Sequence, residues 1–245
     1  MKKPFAGKNA LVVGGTGGIG AAVALALAQN GAQLTIIGGT SQERLERTQH
    51  AVAAHGSHPH GALIPLTGGG DARKIRDFCP HTDILVCAHG PFQRKALAET
   101  SPADWQRIVE VNLILPGALV STYLGGMVER RWGRILLFGG TNTATIRGFT
   151  TTAPYSAAKT ALGVLARSVA RNAPGSGVTC NVICPGLTDT EYMDDAARRY
   201  NRENAPGGAP LQPETIAAFA LDILKNPHLN GGAYPIDNGI ELYRV

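Results

Sequence analysis

Short apolar runs alternate with helix-like stretches along most of the chain. The first run, residues 10–13, leads into an alanine-rich stretch at 21–29. Short apolar runs bounded by turn residues are typical of strands buried on both faces, and the intervening helical patterns indicate parallel strands joined by right-handed crossovers. The pattern therefore predicts a single α/β domain with a doubly wound parallel sheet flanked by helices. Further strands are predicted at 33–37, 63–66, 84–88, 135–138 and 178–184.

Length and composition agree with one globular domain. The chain has 245 residues, and 44% of them are hydrophobic, which is enough to bury a sizeable core. No stretch approaches about eighteen apolar residues without charges or turn formers, and the Met-Lys-Lys-Pro start has no signal-like apolar segment after it. We therefore expect a cytoplasmic protein with no membrane contact.

The net positive charge of the chain does not predict a nucleic-acid partner. The net charge is +5, but the basic residues are dispersed, and the densest group is Arg130, Arg131 and Arg134. Histidines crowd one loop without acidic or thiol neighbours, and the four cysteines lack zinc-site spacing, so we predict no metal site and four buried, reduced thiols. These residues are His55, His58, His60, Cys79, Cys87, Cys180 and Cys184.

A glycine cluster joins the first predicted strand to the first predicted helix. Backbone amides at a helix N-terminus can approach a pyrophosphate where no side chain intervenes, and the helix dipole favours the anion. The spacing is G-x-x-x-G-x-G, and a plain strand-to-helix turn is the alternative. The predicted cofactor-binding residues of this turn are Gly14, Gly15, Thr16, Gly17, Gly18, Ile19 and Gly20.

Tyr155 and Lys159 stand four residues apart in a stretch with helical character. Positions i and i+4 share a helix face, so the ammonium group can lie beside the phenol and lower its pKa. A solvated lysine beside a packed tyrosine is the plain structural alternative. Together with the upstream glycine turn, however, the pair predicts an oxidoreductase that uses a nicotinamide dinucleotide.

Over nearly its whole length the chain resembles the short-chain dehydrogenase/reductase family, and in particular members of the 3-oxoacyl-(acyl-carrier-protein) reductase type. The resemblance implies a Rossmann-type fold of about seven strands. It also implies that Tyr155 exchanges the proton, that Lys159 holds the ribose and lowers the phenol pKa, and that Asn112 positions a relay water. Residues 234–237 match the last strand. Further implied cofactor contacts are Ala88, His89, Gly90, Pro185, Gly186, Thr188 and Thr190.

The chain departs from the family pattern where a serine is expected before the tyrosine. Counting back from Tyr155 gives Asn142, whereas counting forward from the preceding strand gives Gly140. A hydroxyl of Thr141 or Thr143, or the Asn142 amide, is then the candidate donor to the substrate oxygen. The sequence does not choose among the three.

The end of the second strand predicts the cofactor. Where an NAD enzyme of this family would carry aspartate, this chain has Gly39, followed by Thr40 and Ser41. The resemblance thus implies NADP(H), with Arg44 or Arg47 supplying positive charge to the 2′-phosphate, although those arginines also suit a solvated helix face.

Two more departures concern adenine and the substrate. Only a short helix, Asp71–Phe78, fits between the third and fourth strands. The adenine-side aspartate is missing, and Asp71 is a candidate to compensate for it. Residues 191–210 are expected to form a short polar lid, in which Arg198, Arg199 and Arg202 either meet an anionic substrate or form a solvated face.

The resulting hypothesis is an NADP(H)-dependent reductase of a ketone, with a 3-oxoacyl thioester as the leading substrate, assembled as a homotetramer or else a dimer. One alternative is an NAD-dependent dehydrogenase of a secondary alcohol such as a sugar or steroid. The other is a dinucleotide-binding sensor or scaffold without chemistry. Tyr155, Lys159 and Asn112 together favour an enzyme.

Overall fold

Seven strands form one parallel sheet in the computed structural model, which describes residues 3–240. The strands are β1 (Asn9–Val13), β2 (Gln33–Gly38), β3 (His60–Leu63), β4 (Ile84–Cys87), β5 (Gly133–Phe138), β6 (Val178–Pro185) and β7 (Ala233–Ile236). Their order across the sheet is β3-β2-β1-β4-β5-β6-β7, and every pairing is parallel. The chain thus winds outward twice from β1, and the predicted doubly wound sheet is confirmed.

Helices cover both faces of this sheet. They are α1 (Gly18–Gln29), α2 (Gln42–Ala53), α3 (Asp71–Phe78), α4 (Pro102–Val109), α5 (Leu115–Glu129), α6 (Ala153–Asn172), α7 (Asp195–Asn204) and α8 (Pro213–Lys225), with short 3-10 turns at Leu97–Glu99 and Pro206–Gly208. Apolar side chains of α1, α2 and α8 pack into one core, and those of α3, α5 and α6 pack into a second core on the opposite face. The two cores fix the sheet between the helical layers.

One strand prediction is wrong. The apolar run at 63–66 suggested the third strand there, but β3 spans His60–Leu63 and pairs with β2 from Thr35 onward. β3 is the edge strand and its residues are only partly buried, so backbone pairing defines it and apolar content does not. Ile64 and Leu66 lie beyond the strand and are buried in the core as loop residues.

In the part of the chain that the structure describes, one helical stretch is long and apolar enough to cross a membrane by length and composition alone. It is Pro102–Glu129, with a mean hydropathy of 1.5 over its best window, and 44% of that window is buried within the domain. Tyr123 and Met127 of this stretch belong to the core beneath the sheet. Core helices of globular domains pass the same test, so the stretch is weak evidence for a membrane span.

All four cysteines are buried, and none forms a disulfide. Burial raises the pKa of the Cys87 thiol to about 12, so this thiol stays protonated near neutral pH. Within residues 3–240, no group of three or more His, Cys, Asp or Glu side chains is placed to hold a metal ion.

Candidate active site

The glycine turn connects β1 to α1 at the carboxyl edge of the sheet. Gly14 has φ +84°, and a Cβ there would lie 2.7 Å from the His89 backbone nitrogen. A Cβ on Gly20 would overlap the Gly14 carbonyl oxygen. Only glycine fits at either position, because backbone approaches backbone where a side chain would stand. The turn therefore holds the start of α1 tightly against the loop that follows β4.

The first amide of α1 already has an anionic partner. The Gly18 nitrogen donates to both carboxylate oxygens of Glu191, each at 3.0 Å. The same carboxylate lies 3.6 Å from Arg47 of α2, and Thr190 contacts the turn beside Gly18. A carboxylate stands here for an anion of the phosphate type, so the turn is shaped to bind negative charge.

Tyr155 and Lys159 meet on one face of α6, as predicted. Lys159 Nζ lies 5.7 Å from the centre of the Tyr155 ring and donates a 2.8 Å hydrogen bond to the Phe138 carbonyl oxygen at the end of β5. Only 4% of Lys159 is exposed, and burial lowers its pKa to about 8. Charging the ammonium group is therefore costly in the folded protein.

The predicted direction of the Tyr155 pKa is wrong in this structure. Burial raises the pKa of Tyr155 above its ordinary value of 10, and the nearby Cys184 thiol acts in the same direction. Removing the phenolate from water disfavours ionisation, and the Lys159 ammonium group, which donates to the Phe138 carbonyl oxygen, does not offset that cost. The phenol is consequently protonated at neutral pH.

Asn112 lies in a π-helical segment, Glu110–Ile114, between α4 and α5. Its side-chain amide nitrogen donates to the carbonyl oxygens of Ile108 and Pro91, both at 3.0 Å. Its Oδ1 is buried without a hydrogen-bond partner and faces the backbone of Gly90, as does Lys159 Nζ. A buried oxygen of this kind accepts a hydroxyl or a water that the protein itself does not supply.

The loop after β5 holds the residues that could stand in for the expected serine. Gly140 packs directly on Tyr155, since a Cβ there would lie 2.8 Å from the phenol oxygen. Thr143 Oγ1 is bonded to both backbone groups of Gly140, and Thr141 Oγ1 donates to the Pro185 carbonyl oxygen at 3.1 Å. Asn142 has φ +63°, and its Oδ1 is buried without a partner. Of the three candidates, only Asn142 keeps an uncommitted polar atom.

The residues after β2 and β3 flank the glycine turn. A Cβ on Gly39 would meet nothing within 4 Å, and Ser41 Oγ caps α2 by accepting from the Arg44 nitrogen at 3.3 Å. The Asp71 carboxylate, by contrast, accepts hydrogen bonds from the turn that precedes α3. Burial alone would raise its pKa, but bonds from Lys74, Thr67 and the Gly68 nitrogen lower the pKa of Asp71 to about 2. Its carboxylate is therefore engaged within the protein and is no free substitute for the missing adenine contact.

The loop after β6 lies at the same carboxyl edge of the sheet as the glycine turn. The Gly186 nitrogen donates to Ile236, and Thr188 Oγ1 donates to the Gly186 carbonyl oxygen at 2.9 Å, which ties Pro185 and its neighbours to β7. Asn201 of α7 donates to the Thr188 carbonyl oxygen and anchors the following segment to this loop.

Comparisons with known proteins decide the family. The sequence model described as short chain dehydrogenase matches residues 8–201. The chain belongs to the short-chain dehydrogenase/reductase family. It is similar to an uncharacterized oxidoreductase of Bacillus subtilis strain 168, with 32% identity over 98% of each chain, and to the 3-oxoacyl-(acyl-carrier-protein) reductase of Escherichia coli strain K12, with 30% identity over 95% of this chain and 99% of the relative. Among solved structures, it is similar to a 3-oxoacyl-(acyl-carrier-protein) reductase of Agrobacterium tumefaciens C58 with NADP bound, at 27% identity and a TM-score of 0.86, covering 96% and 94% of the two chains.

The chain is accordingly an NAD(P)-dependent short-chain dehydrogenase/reductase, and its site fits a nicotinamide dinucleotide. The first amide of α1 binds an anion, and a buried lysine and an orphaned amide oxygen lie beside Gly90. Anion binding suits a pyrophosphate, and the other two groups suit the hydroxyls of a ribose or an ordered water.

Sequence reasoning missed several residues that the structure brings to this site. Phe92 packs edge-on against Tyr155 with ring centres 5.1 Å apart, and Arg94 lies between the rings of Phe92 and Tyr200. Glu191, which the sequence placed only at the start of the predicted lid, contacts a residue 173 positions earlier. No local pattern marks such contacts. Two of the three lid arginines are paired with neighbouring acids: Arg198 with Asp189 and Arg199 with Glu203.

Proposed function

We propose that this enzyme reduces a ketone to a secondary alcohol with NADP(H). The observation that carries the proposal is the meeting of Tyr155, Lys159 and the orphaned Asn112 oxygen beside the anion-binding turn. When bound, the dinucleotide supplies the hydride. Tyr155 Oη gives its proton to the substrate oxygen, while Lys159 holds the ribose and Asn112 holds a water that returns the proton from solvent.

The protonated state of Tyr155 supports the reductive direction. The phenol keeps its proton at neutral pH at its ordinary pKa of 10 and at the raised one alike, so a proton is present to donate, whereas alcohol oxidation needs a phenolate, which the raised pKa disfavours. Burial lowers the pKa of Lys159 to about 8, close to physiological pH, and its Nζ lies 5.7 Å from the Tyr155 ring centre and faces Gly90 together with the Asn112 oxygen. Lys159 is therefore suited to pass the proton onward.

Asn142 is the proposed donor to the substrate oxygen. Gly140 has no side chain to place beside Tyr155, and the hydroxyls of Thr141 and Thr143 already donate hydrogen bonds to backbone carbonyl oxygens. The Asn142 side-chain oxygen has no hydrogen-bond partner. Turning the amide group by 180° exchanges its oxygen and nitrogen, and the NH₂ group can then donate to a substrate carbonyl. Stabilising the developing oxyanion in this way would replace the usual hydroxyl.

A 3-oxoacyl thioester is the proposed substrate class. Support comes from the similarity to 3-oxoacyl-(acyl-carrier-protein) reductases and from Arg94, a cation held 4.2 Å from the Tyr200 ring centre at the start of the substrate approach. We assign residues 191–210 as the lid over this approach. Arg94 would then meet an anionic carrier while the apolar edge of Phe92 faces the acyl chain.

NADP(H) is the proposed cofactor, because a side chain on Gly39 would meet nothing within 4 Å and Thr40, Ser41, Arg44 and Arg47 follow it at the start of α2. We expect NADPH to bind more tightly than NADH by about tenfold, because a favourable phosphate contact of roughly 1.4 kcal/mol has that effect. A fluorescence titration with each dinucleotide at one salt concentration measures the ratio. Tighter binding of NADH would contradict the assignment and redirect the search to alcohol oxidation.

We further propose a cytoplasmic homotetramer. The outer face of α6 carries small residues and borders an open groove of about 580 Å³. Ile146 is 95% exposed and Val164 is 63% exposed on its rim, an apolar surface of the kind that a second copy of the chain would cover. Light scattering should give four times the mass of one chain, and Val164→Glu should lower it. A monomer at micromolar concentration would contradict the proposal.

A further inference from the structure

The segment after β6 reaches into the place where a dinucleotide phosphate would bind. Glu191 places both carboxylate oxygens 3.0 Å from the Gly18 nitrogen, the first amide of α1. The hydroxyl of the next residue, Tyr192, and the Glu191 carboxylate together occupy the space in front of Gly17 that any side chain there would fill. The groove that the glycines leave open is thus filled by the protein's own lid.

Two arginines of α2 hold this segment in place. Arg47 Nη2 lies 3.6 Å from Glu191 Oε1, and the Arg44 guanidinium stacks on the Tyr192 ring at 4.5 Å from its centre. These are the arginines that the sequence offered for a cofactor 2′-phosphate. In this arrangement their charge is directed at the lid, so the segment engages both the phosphate turn and the basic side of α2.

A carboxylate and a phosphate oxygen compete for the same amide. Both are anions, both are favoured by the dipole of α1, and the Gly18 nitrogen has a single proton to donate. A bound pyrophosphate would also stand close to the Glu191 carboxylate, and two like charges at that range repel each other. Occupation of the turn by Glu191 and occupation by a dinucleotide therefore exclude one another.

We propose that Glu191 is an internal competitor of the cofactor, and that dinucleotide binding displaces it and releases Arg47 to the incoming phosphates. The inference rests on the dinucleotide-binding function proposed above. The enzyme without cofactor is held with its lid against the glycine turn, and lid release is coupled to cofactor entry. The apparent affinity for the dinucleotide is reduced by the fraction of molecules in which Glu191 occupies the turn.

The test compares NADPH binding by Glu191→Gln, Glu191→Asp and the wild type. Glutamine removes the charge at equal size, and aspartate keeps the charge but shortens the reach to Gly18. We expect both variants to bind NADPH about tenfold more tightly, since a charge-assisted hydrogen bond to a half-exposed carboxylate has roughly that effect on the occupied fraction. The matched control is Glu203→Gln, which removes a carboxylate from the same lid where it pairs only with Arg199, and it should leave the dissociation constant unchanged.

The outcomes separate this inference from the proposed function. If the wild type binds neither NADPH nor NADH, the dinucleotide function is wrong. If the wild type binds but Glu191→Gln and Glu191→Asp bind no more tightly, Glu191 does not compete, and the inference is overturned while the function stands. Equal tightening by Glu203→Gln would also overturn it, because the effect would then be one of net charge and not of the contact with Gly18.

Discussion

Tyr155→Phe is expected to lower turnover by roughly 10²–10⁴-fold, the range that a positioned general acid contributes. The substitution deletes the phenol oxygen and leaves the ring, which keeps its edge-on contact with Phe92 and its packing on Gly140. The fold and the cofactor site should therefore be intact. Steady-state rates of NADPH oxidation with a 3-oxoacyl thioester measure the effect.

The control for this variant is its cofactor affinity. NADPH should bind Tyr155→Phe within about twofold of the wild type, because a group that acts only in the transition state lowers kcat without changing ground-state binding. Turnover that survives the substitution would remove Tyr155 from the mechanism. Loss of turnover together with loss of NADPH binding would assign Tyr155 to cofactor binding instead.

Lys159→Met is expected to lower turnover by at least about a hundredfold and also to weaken NADPH binding, because Lys159 serves both the proton path and the ribose. Methionine preserves most of the side-chain volume in this buried position but removes the charge and the hydrogen bond to Phe138. Turnover and binding thus fall together, in contrast to Tyr155→Phe. Normal NADPH affinity in Lys159→Met would contradict the assignment to the ribose.

The same substitution has a signature in the pH dependence of stability. The pKa of Lys159 is lowered from 10.5 to about 8, so between those values the unfolded chain binds more protons than the folded one. The free energy of unfolding of the wild type should therefore rise, relative to Lys159→Met, as pH increases through this window, by up to about 3 kcal/mol. Denaturant unfolding of both proteins at pH 7.5 and 10.5 gives the difference, and a constant difference would show that Lys159 is charged at no cost.

Most of the sheet could be predicted from the sequence because its central strands are buried on both faces. β4, β5 and β6 are buried at every position and mostly apolar, and the structure places them within two residues of the predicted bounds. β3 could not be placed in the same way, because an edge strand is defined by its hydrogen bonds to β2 and its residues remain partly exposed. The pattern of apolar residues indicates which positions are buried. At the edge of a sheet a strand can be hydrogen-bonded without being fully buried, so the pattern does not mark it.

The candidate site was predictable in its residue types and less so in its energetics. The spacing of Tyr155 and Lys159 correctly placed both side chains on one face of α6. The direction of the Tyr155 pKa was not predictable, because it depends on desolvation in the folded chain, which the spacing along α6 does not report. Glu191 was missed for a related reason, since its contact with Gly18 exists only in the folded chain.

The most direct test of the central claim is to follow the transferred hydride itself. NADPH carrying deuterium at the reactive C4 position is incubated with the enzyme and a 3-oxoacyl thioester, and the product is analysed by mass spectrometry. We predict a 3-hydroxyacyl product with one deuterium on the carbinol carbon for the wild type, and its formation by Tyr155→Phe at a rate lower by the same roughly 10²–10⁴-fold. Oxidised cofactor without deuterium in the product, or no reaction across a panel of ketones despite tight NADPH binding, would contradict a ketone reductase.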